Sequence, residues 1–245
     1  MTNLGELYRP TGKALETAQE VLECQFPYAC NMAYGCTNCC QYPCFIPYSK
    51  PGMIRFPEEP AHLKVLRQLN KGLKPEAVFL SFETDALIPE NIEETRKLVE
   101  LFIEHKMPTA ILSKIGVLAQ PGVRSGCTIV SIDEEFWKRY EPKASSPISR
   151  INQAKTEKEC GGYVWFSMEP YPNDIKWKQD ISKVLNKIDF ADFIIFGKWN
   201  YSRDTSRPPD REFYRKMVEQ FRSFCTEKGI RHHVKSDTLK FIGEL

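Results

Sequence analysis

Cys36, Cys39, Cys40 and Cys44 fall within nine residues, Cys24 and Cys30 lie just upstream, and Cys127, Cys160 and Cys225 are isolated. Thiols packed this densely are an oxidation liability with no packing benefit unless they bind something, so the window points to a metal. The isolated cysteines read as small buried hydrophobes or indifferent thiols. A closed zinc tetrahedron usually takes two ligand pairs, and no second pair follows; the adjacent His232 and His233 lack ligand spacing, which leaves Cys24 or Cys30 to complete a zinc site. An iron-sulfur cluster can be held from one tight loop, and three thiolates on a four-iron cluster leave one iron open to an exogenous ligand.

The chain that must position these thiols has 245 residues, with 34 Lys and Arg against 32 Asp and Glu and 42% hydrophobic residues. That length and composition suit one sizeable globular domain, and the aromatic content of 12% excludes a disordered chain. A net charge of +2 excludes binding driven by bulk positive charge. No apolar run is long enough to span a membrane and no secretory amino terminus is present, so the expectation is a cytoplasmic protein with reduced thiols and no membrane partner.

From Val78 onward, short β-branched and aromatic runs alternate with amphipathic stretches, the pattern of βα units on a parallel sheet. Strands are expected near Cys30–Ala33, Val78–Phe82, Thr109–Leu112, Thr128–Ile132, Tyr163–Met168, Phe193–Phe196 and Arg231–Val234. Helices are expected over Pro60–Lys71, Asn91–His105, Glu134–Arg139, Pro147–Glu159, Ile175–Lys187 and Arg211–Lys228. Leu98, Leu101, Phe102 and His105 have the spacing of a buried helical stripe, with His105 a helix end rather than a ligand. The whole reads as one α/β domain over 1–245. It has a cysteine loop at 31–48, βα units over about 60–196 and a carboxyl-terminal extension from about 197. The residues after each apolar run are polar: Glu83-Thr84-Asp85, Ser113-Lys114, Asp133, Glu169-Pro170 and Gly197-Lys198-Trp199-Asn200-Tyr201. In a barrel these would share one rim with the thiols.

On these residues the sequence resembles the radical S-adenosylmethionine (radical SAM) enzymes, in the spore photoproduct lyase-like branch labelled DNA repair photolyase. Tyr8, Pro10, Gly12 and Ala14 match the opening segment, and Asn31, Gly35 and Cys36 match the approach to the cysteines. The family continues CxxxCxYC. Here Cys36, Cys40 and Tyr42 match, and Pro43 stands as a one-residue insertion before Cys44. Thr84-Asp85, Lys114, Glu141-Pro142 with Arg150, Glu169-Pro170 and Phe196-Gly197 through Asn200-Tyr201 match further on.

The resemblance implies a partial (β/α)6-type TIM barrel with parallel strands and its active site at their carboxyl ends. It also implies a [4Fe-4S] cluster and reductive cleavage of S-adenosylmethionine to a 5′-deoxyadenosyl radical. Cys36, Cys40 and Cys44 are the expected metal ligands, with Cys36, Cys39 and Cys44 the alternative that the insertion leaves open. Thr84 and Asp85 are expected at the cosubstrate amino group, Ser131 at its ribose or carboxylate and Glu169 at a hydroxyl or backbone group. Arg150 and Glu141 would brace the rim as a pair. The electron would come from a low-potential donor such as ferredoxin or flavodoxin. The substrate stays open, with a nucleic acid lesion or modification one option. From Lys198 onward eleven Lys and Arg stand against seven Asp and Glu, with Trp199, Tyr201, Phe213 and Tyr214 interleaved. The competing reading is an iron-sulfur or zinc protein on a related barrel, with an electron-transfer or structural role and no cleavage of S-adenosylmethionine.

Overall fold

The computed structural model describes residues 4–42, 52–200, 205 and 207–245. Cys44, Pro43 and Tyr201, and with them part of the expected cysteine loop, lie outside the described residues. In chain order the elements are β1 (Leu7–Tyr8), α1 (Gly12–Leu22), β2 (Tyr28–Cys30), β3 (Tyr34–Gly35), β4 (Ile54–Arg55), α2 (Ala61–Asn70), β5 (Val78–Leu80), α3 (Ile92–Glu104) and β6 (Thr109–Ser113). They continue with β7 (Val123–Thr128), α4 (Glu134–Tyr140), α5 (Pro147–Glu159), β8 (Tyr163–Tyr171), α6 (Ile181–Leu185), β9 (Phe193–Lys198), α7 (Pro208–Lys228), β10 (Arg231–Val234) and α8 (Ser236–Ile242).

Eight strands form one sheet in the order β1-β2-β5-β6-β7-β8-β9-β10. Every neighbouring pair from β2 to β10 is parallel, and β1 is an antiparallel edge on β2. Each new parallel strand lands beside the one before it after a crossover, so the sheet grows in one direction and curls as βαβ units do. It begins at β1 and ends at β10, which makes it an open, partial barrel. The carboxyl ends of seven strands therefore lie on one rim, as the sequence pattern requires.

Alternation along the strands divides the apolar side chains between two faces. Cys127, Phe166, Met168, Ile194 and Phe196 pack outward with Ile151 and Ala154 of α5 and with Met217, Val218 and Phe221 of α7. Ala29, Phe79, Ala110, Trp165, Phe193 and Ile195 face inward, where they meet Ala18, Val21 and Leu22 of α1. The i, i+3, i+4 spacing of those three residues gives α1 one apolar stripe, and that stripe fills the lower part of the barrel. Gly126 makes room on the same face, because a Cβ there would lie 2.2 Å from the Trp165 indole.

Polar contacts fix α1 across the open seam. Glu16 accepts from His233 Nε2 at 2.8 Å and from the backbone N–H of Ser236 at 2.7 Å, and its other oxygen lies 3.2 Å from Lys235 Nζ. Lys235 Nζ also donates to Thr17 Oγ1 at 2.7 Å and to the carbonyl of Lys13 at 3.0 Å, and Lys13 pairs with Asp237. Arg231 lies over the Phe193 ring at 3.7 Å and donates to the carbonyl of Glu20.

Several expected boundaries shift for physical reasons. The strand expected at Thr128–Ile132 is Val123–Thr128, because Arg124 and Gly126 interrupt its apolar run while Ile129 and Val130, although buried, follow the strand. The helix expected over Ile175–Lys187 is only Ile181–Leu185, because the Asp180 side chain accepts from Ser182 N and starts the helix there. The strand expected at Cys30–Ala33 is Tyr28–Cys30. Helices α1 and α8 lie where no helix is expected from the sequence pattern. Of the stripe expected on helix α3, Leu98 and Phe102 are buried together with Val99, Leu101 is only partly buried, and the exposed His105 ends the helix with Nδ1 2.9 Å from the Leu101 carbonyl.

Burial alone would raise the Glu16 carboxyl, but His233, Lys235 and Ser236 outweigh it and hold the group near about 2. The pKa is therefore depressed on folding, and the stability it contributes is complete above the ordinary glutamate range and lost as pH falls towards 2. Glu16→Gln should cost on the order of 2 kcal/mol at pH 7 after allowance for solvent screening, and the difference from wild type should vanish between about pH 4 and 2 in urea denaturation.

Candidate active site at the strand carboxyl ends

Where β2 ends, the Asn31 side chain ties three segments together. Its Oδ1 accepts from Ser81 Oγ, Phe82 N and Glu83 N at 2.9, 2.9 and 3.2 Å, and its Nδ2 donates to the Tyr8 hydroxyl at 2.8 Å. Gly35 then turns with φ of 100°, and a Cβ there would meet the Met53 carbonyl at 2.1 Å. The close pairing of β3 with β4 thus holds the two ends of the cysteine loop side by side. The Gly35 N–H also donates to the Glu83 carbonyl at 2.9 Å, so the loop begins against the exit of β5.

Cys36, Cys39 and Cys40 are partly exposed on this loop and not in disulfides, and Cys39 adopts a left-handed backbone with φ of 53°. Burial and the neighbouring Asp85 push the Cys36 thiol up to about 11. A thiolate there needs a cation to compensate it, which a metal supplies. Cys30, Cys127 and Cys225 are buried among apolar side chains instead, and burial raises all three thiols. Among the described residues no three His, Cys, Asp or Glu side chains converge as a metal-binding group. Cys44 is one of the three expected ligands, so at most two of any expected triad are described. The donor set fits an iron-sulfur cluster in its chemistry, since its soft ligands stand accessible at the mouth of a barrel.

Two carboxylates hold the loop from opposite sides. Asp85 accepts from Asn38 Nδ2 at 2.8 Å, Lys114 N at 2.7 Å, Ser113 Oγ at 2.6 Å and Leu87 N at 3.0 Å, joining the loop to the ends of β5 and β6. On the other side Gln41 N donates to the Tyr140 carbonyl at 2.8 Å, and the Tyr42 hydroxyl donates to Glu141 at 2.5 Å. Glu141 pairs in turn with Arg150, their side chains 2% and 1% exposed, and Arg150 donates to the Thr128 carbonyl at the end of β7. The expected brace between Arg150 and Glu141 is present, and it reaches the cysteine loop through Tyr42. The Tyr42 ring also packs on Tyr140 and edge-on to Trp199, with Lys114 Nζ 5.5 Å from its centre.

The other expected site residues stand along the same rim in different states. Thr84 is buried and its Oγ1 accepts from Asn91 Nδ2 at 2.8 Å. Ser131 is buried and its Oγ accepts from Asp133 N at 3.2 Å. Glu169 accepts from Asn200 Nδ2 at 3.0 Å and lies against Gly197, where a Cβ would come within 2.7 Å of its carboxyl carbon. Burial raises the Glu169 carboxyl. Glu83, expected only as a polar residue of the rim, has its Oε2 buried without a partner, and burial also raises its carboxyl. Its position one residue before Thr84-Asp85 was the only available signal.

No family model matches the sequence, and no curated protein does. Solved structures do match in fold. Spore photoproduct lyase complexed with dinucleoside spore photoproduct superposes with a TM-score of 0.61 and 16% identity, over 85% of this chain and 76% of the lyase. SuiB of Streptococcus suis bound to S-adenosylmethionine gives a TM-score of 0.59 and 13% identity, over 86% of this chain and 48% of SuiB. The chain therefore has the α/β partial-barrel fold of these two proteins, the architecture expected from the resemblance.

Removing one partner of a buried ion pair leaves an uncompensated charge, whereas replacing both with apolar groups of similar volume does not. Glu141→Ala should therefore lose about 3–5 kcal/mol of stability. The double variant Glu141→Leu with Arg150→Met should recover most of that loss in the same chemical denaturation series. Equal losses in the two proteins would show that the pair's charge is not what holds the rim.

Proposed function

We propose that the protein is a radical SAM enzyme that binds a [4Fe-4S] cluster through Cys36, Cys40 and Cys44 and cleaves S-adenosylmethionine. The observation that carries this reading is the placement of a cysteine loop at the carboxyl end of β2, held there by Asp85 and by Tyr42 with Glu141. The loop sits on a fold shared with a protein solved with S-adenosylmethionine bound. When bound, the cluster supplies the low-potential electron that breaks the sulfonium carbon-sulfur bond to give methionine and a 5′-deoxyadenosyl radical. That electron is proposed to come from a ferredoxin or flavodoxin.

The chain's own groups would orient the cosubstrate. Thr84 Oγ1 and both Asp85 oxygens already accept from protein donors, so this segment would meet the amino group through its backbone and through the unpartnered Oε2 of Glu83. Ser131 accepts through its oxygen and keeps its hydroxyl proton for the ribose or carboxylate. Glu169 keeps an oxygen for a hydroxyl beside its bond to Asn200. The aromatic wall of Tyr42, Tyr140 and Trp199 would help exclude water from a reactive intermediate.

A nucleic acid substrate is supported by the neighbour complexed with a dinucleoside photoproduct and by the mildly basic carboxyl-terminal segment. No helix among the described residues is long and apolar enough to cross a membrane, and a cytoplasmic location is part of the proposal.

Anaerobically reconstituted, reduced protein incubated with S-adenosylmethionine should yield 5′-deoxyadenosine and methionine. An intact, reducible cluster that yields neither would sink the reading and leave an electron-transfer or structural role. Iron and sulfide content should fall in Cys36→Ala, Cys40→Ala and Cys44→Ala. Full cluster in Cys40→Ala with loss in Cys39→Ala would instead assign the second ligand to Cys39.

A further inference from the structure

Asn38 stands two residues after Cys36 and is only 2% exposed, although Cys36, Thr37 and Cys39 around it are half-buried. A buried side-chain amide must find partners, and an asparagine in a turn ordinarily finds them on its own backbone. The Asn38 side chain reaches another segment instead: Nδ2 donates to Asp85 Oδ2 at 2.8 Å. The same oxygen accepts from Lys114 N at 2.7 Å, and Oδ1 accepts from Ser113 Oγ at 2.6 Å and from Leu87 N at 3.0 Å. Asp85 is thus an anchor held from the end of β6 and from its own turn, and Asn38 is a residue by which the cysteine loop grips it.

The backbone of the same residue serves a thiol. Asn38 N donates to Cys36 Sγ at 3.5 Å. Directly after it Cys39 enters the left-handed region, which a residue other than glycine adopts where its surroundings hold it, so the chain turns immediately after this double contact. Burial and the Asp85 charge work against an ionised Cys36 sulfur, while the N–H groups of Asn38 and Asp85, with Lys114, work for it. Asn38 therefore joins both sides of that balance: its side chain bonds to the opposing carboxylate and its N–H bonds to the sulfur.

We infer that Asn38 is a positioning residue that sets the reduction potential of the iron-sulfur cluster, by fixing an N–H on the Cys36 sulfur and damping the Asp85 carboxylate beside it. The inference rests on the cluster of the proposed function and not on the cleavage of S-adenosylmethionine. Reduction adds a negative charge to a cluster and its thiolates, and hydrogen bonds to the sulfurs are among the features that set the potential. An N–H aimed at a ligand sulfur stabilises the added charge, and a nearby carboxylate opposes it. Loss of the Asn38 amide frees the N–H from its anchor and takes a donor from Asp85 Oδ2. Both changes disfavour the reduced cluster, so the potential falls.

The test uses the full chain, reconstituted anaerobically and titrated with reductant without S-adenosylmethionine, the cluster being followed by electron paramagnetic resonance. Asn38→Leu keeps the side-chain volume and removes the donor. It should keep its iron and shift the reduction equilibrium about tenfold towards the oxidised cluster, a fall of about 59 mV for one electron. Thr37→Ala removes a loop contact not aimed at sulfur, the 3.1 Å bond from Thr37 Oγ1 to Glu90, and should leave the potential at the wild-type value. Because Asn38→Leu can misfold or lose its iron, wild type carrying asparagine labelled with nitrogen-15 is measured as well. Pulsed resonance of its reduced cluster should show a coupling to the label. A wild-type potential in Asn38→Leu, an equal fall in Thr37→Ala, or no coupling in labelled wild type overturns the inference. 5′-Deoxyadenosine, assayed after S-adenosylmethionine is added to the same preparations, separates the two readings. Its absence with the potential shift retained removes only the radical chemistry, whereas a wild type that takes up no iron removes both.

Discussion

The rim depends on a carboxylate and a guanidinium taken almost wholly out of water. Glu141 and Arg150 are costly to bury, and they remain paired because each has further work on a different segment: Glu141 receives the Tyr42 hydroxyl and Arg150 caps the carbonyl of Thr128. Their pairing makes the cysteine loop, the end of β7 and the helix pair α4 and α5 into one cross-linked body. An apolar replacement could match the stability but not the reach, because only a two-oxygen acceptor can satisfy a phenol and a guanidinium together. Arg150 Nε is buried without a partner, so even this brace leaves one donor unsatisfied.

Asp85 plays the corresponding part on the opposite side of the loop, with four donors from three segments. The thiols are thus suspended between two acids, one bonded mostly to backbone N–H groups and amides, the other to a phenol and an arginine. Between them the loop's position is set by groups other than its thiols. Contacts of this kind orient the ligands of metal sites in general, and for this loop they come from the segment after β5, the end of β6, and α4 with α5.

Much of this was readable in advance where one residue type announces one role. The parallel strands were visible because β-branched and aromatic runs are buried on both faces, and the rim was visible because polar residues follow those runs. Helix α1 was missed because its buried stripe is only Ala18, Val21 and Leu22, with alanine giving little hydrophobic signal; its partners are strand residues far away in the chain. The start of β7 was hidden by Arg124 and Gly126, and only the Trp165 side chain explains why glycine must stand there. Among site residues, Asp85 was legible as important but not as a hub with every oxygen engaged, and Glu83 was legible as a polar rim residue but not as one whose buried oxygen lacks a partner. Hydrogen-bond occupancy is a property of assembled structure, and no spacing rule reports it.

The seam closed by α1 has a consequence for the order in which the chain can mature. Glu16 leaves the ribosome 217 residues before its partner His233, and Lys13 leaves it 224 residues before Asp237, with Lys235, the other partner of Glu16, lying between those two. Until then the inner face carrying Phe79 and Trp165 can gather α1 by apolar contact but cannot lock it, and the edge of β9 has no β10 to cover it. The clasp of this open barrel therefore arrives with β10 and α8, and a nascent chain stalled before residue 231 would carry the described thiols of the cysteine loop before α1 is locked in place.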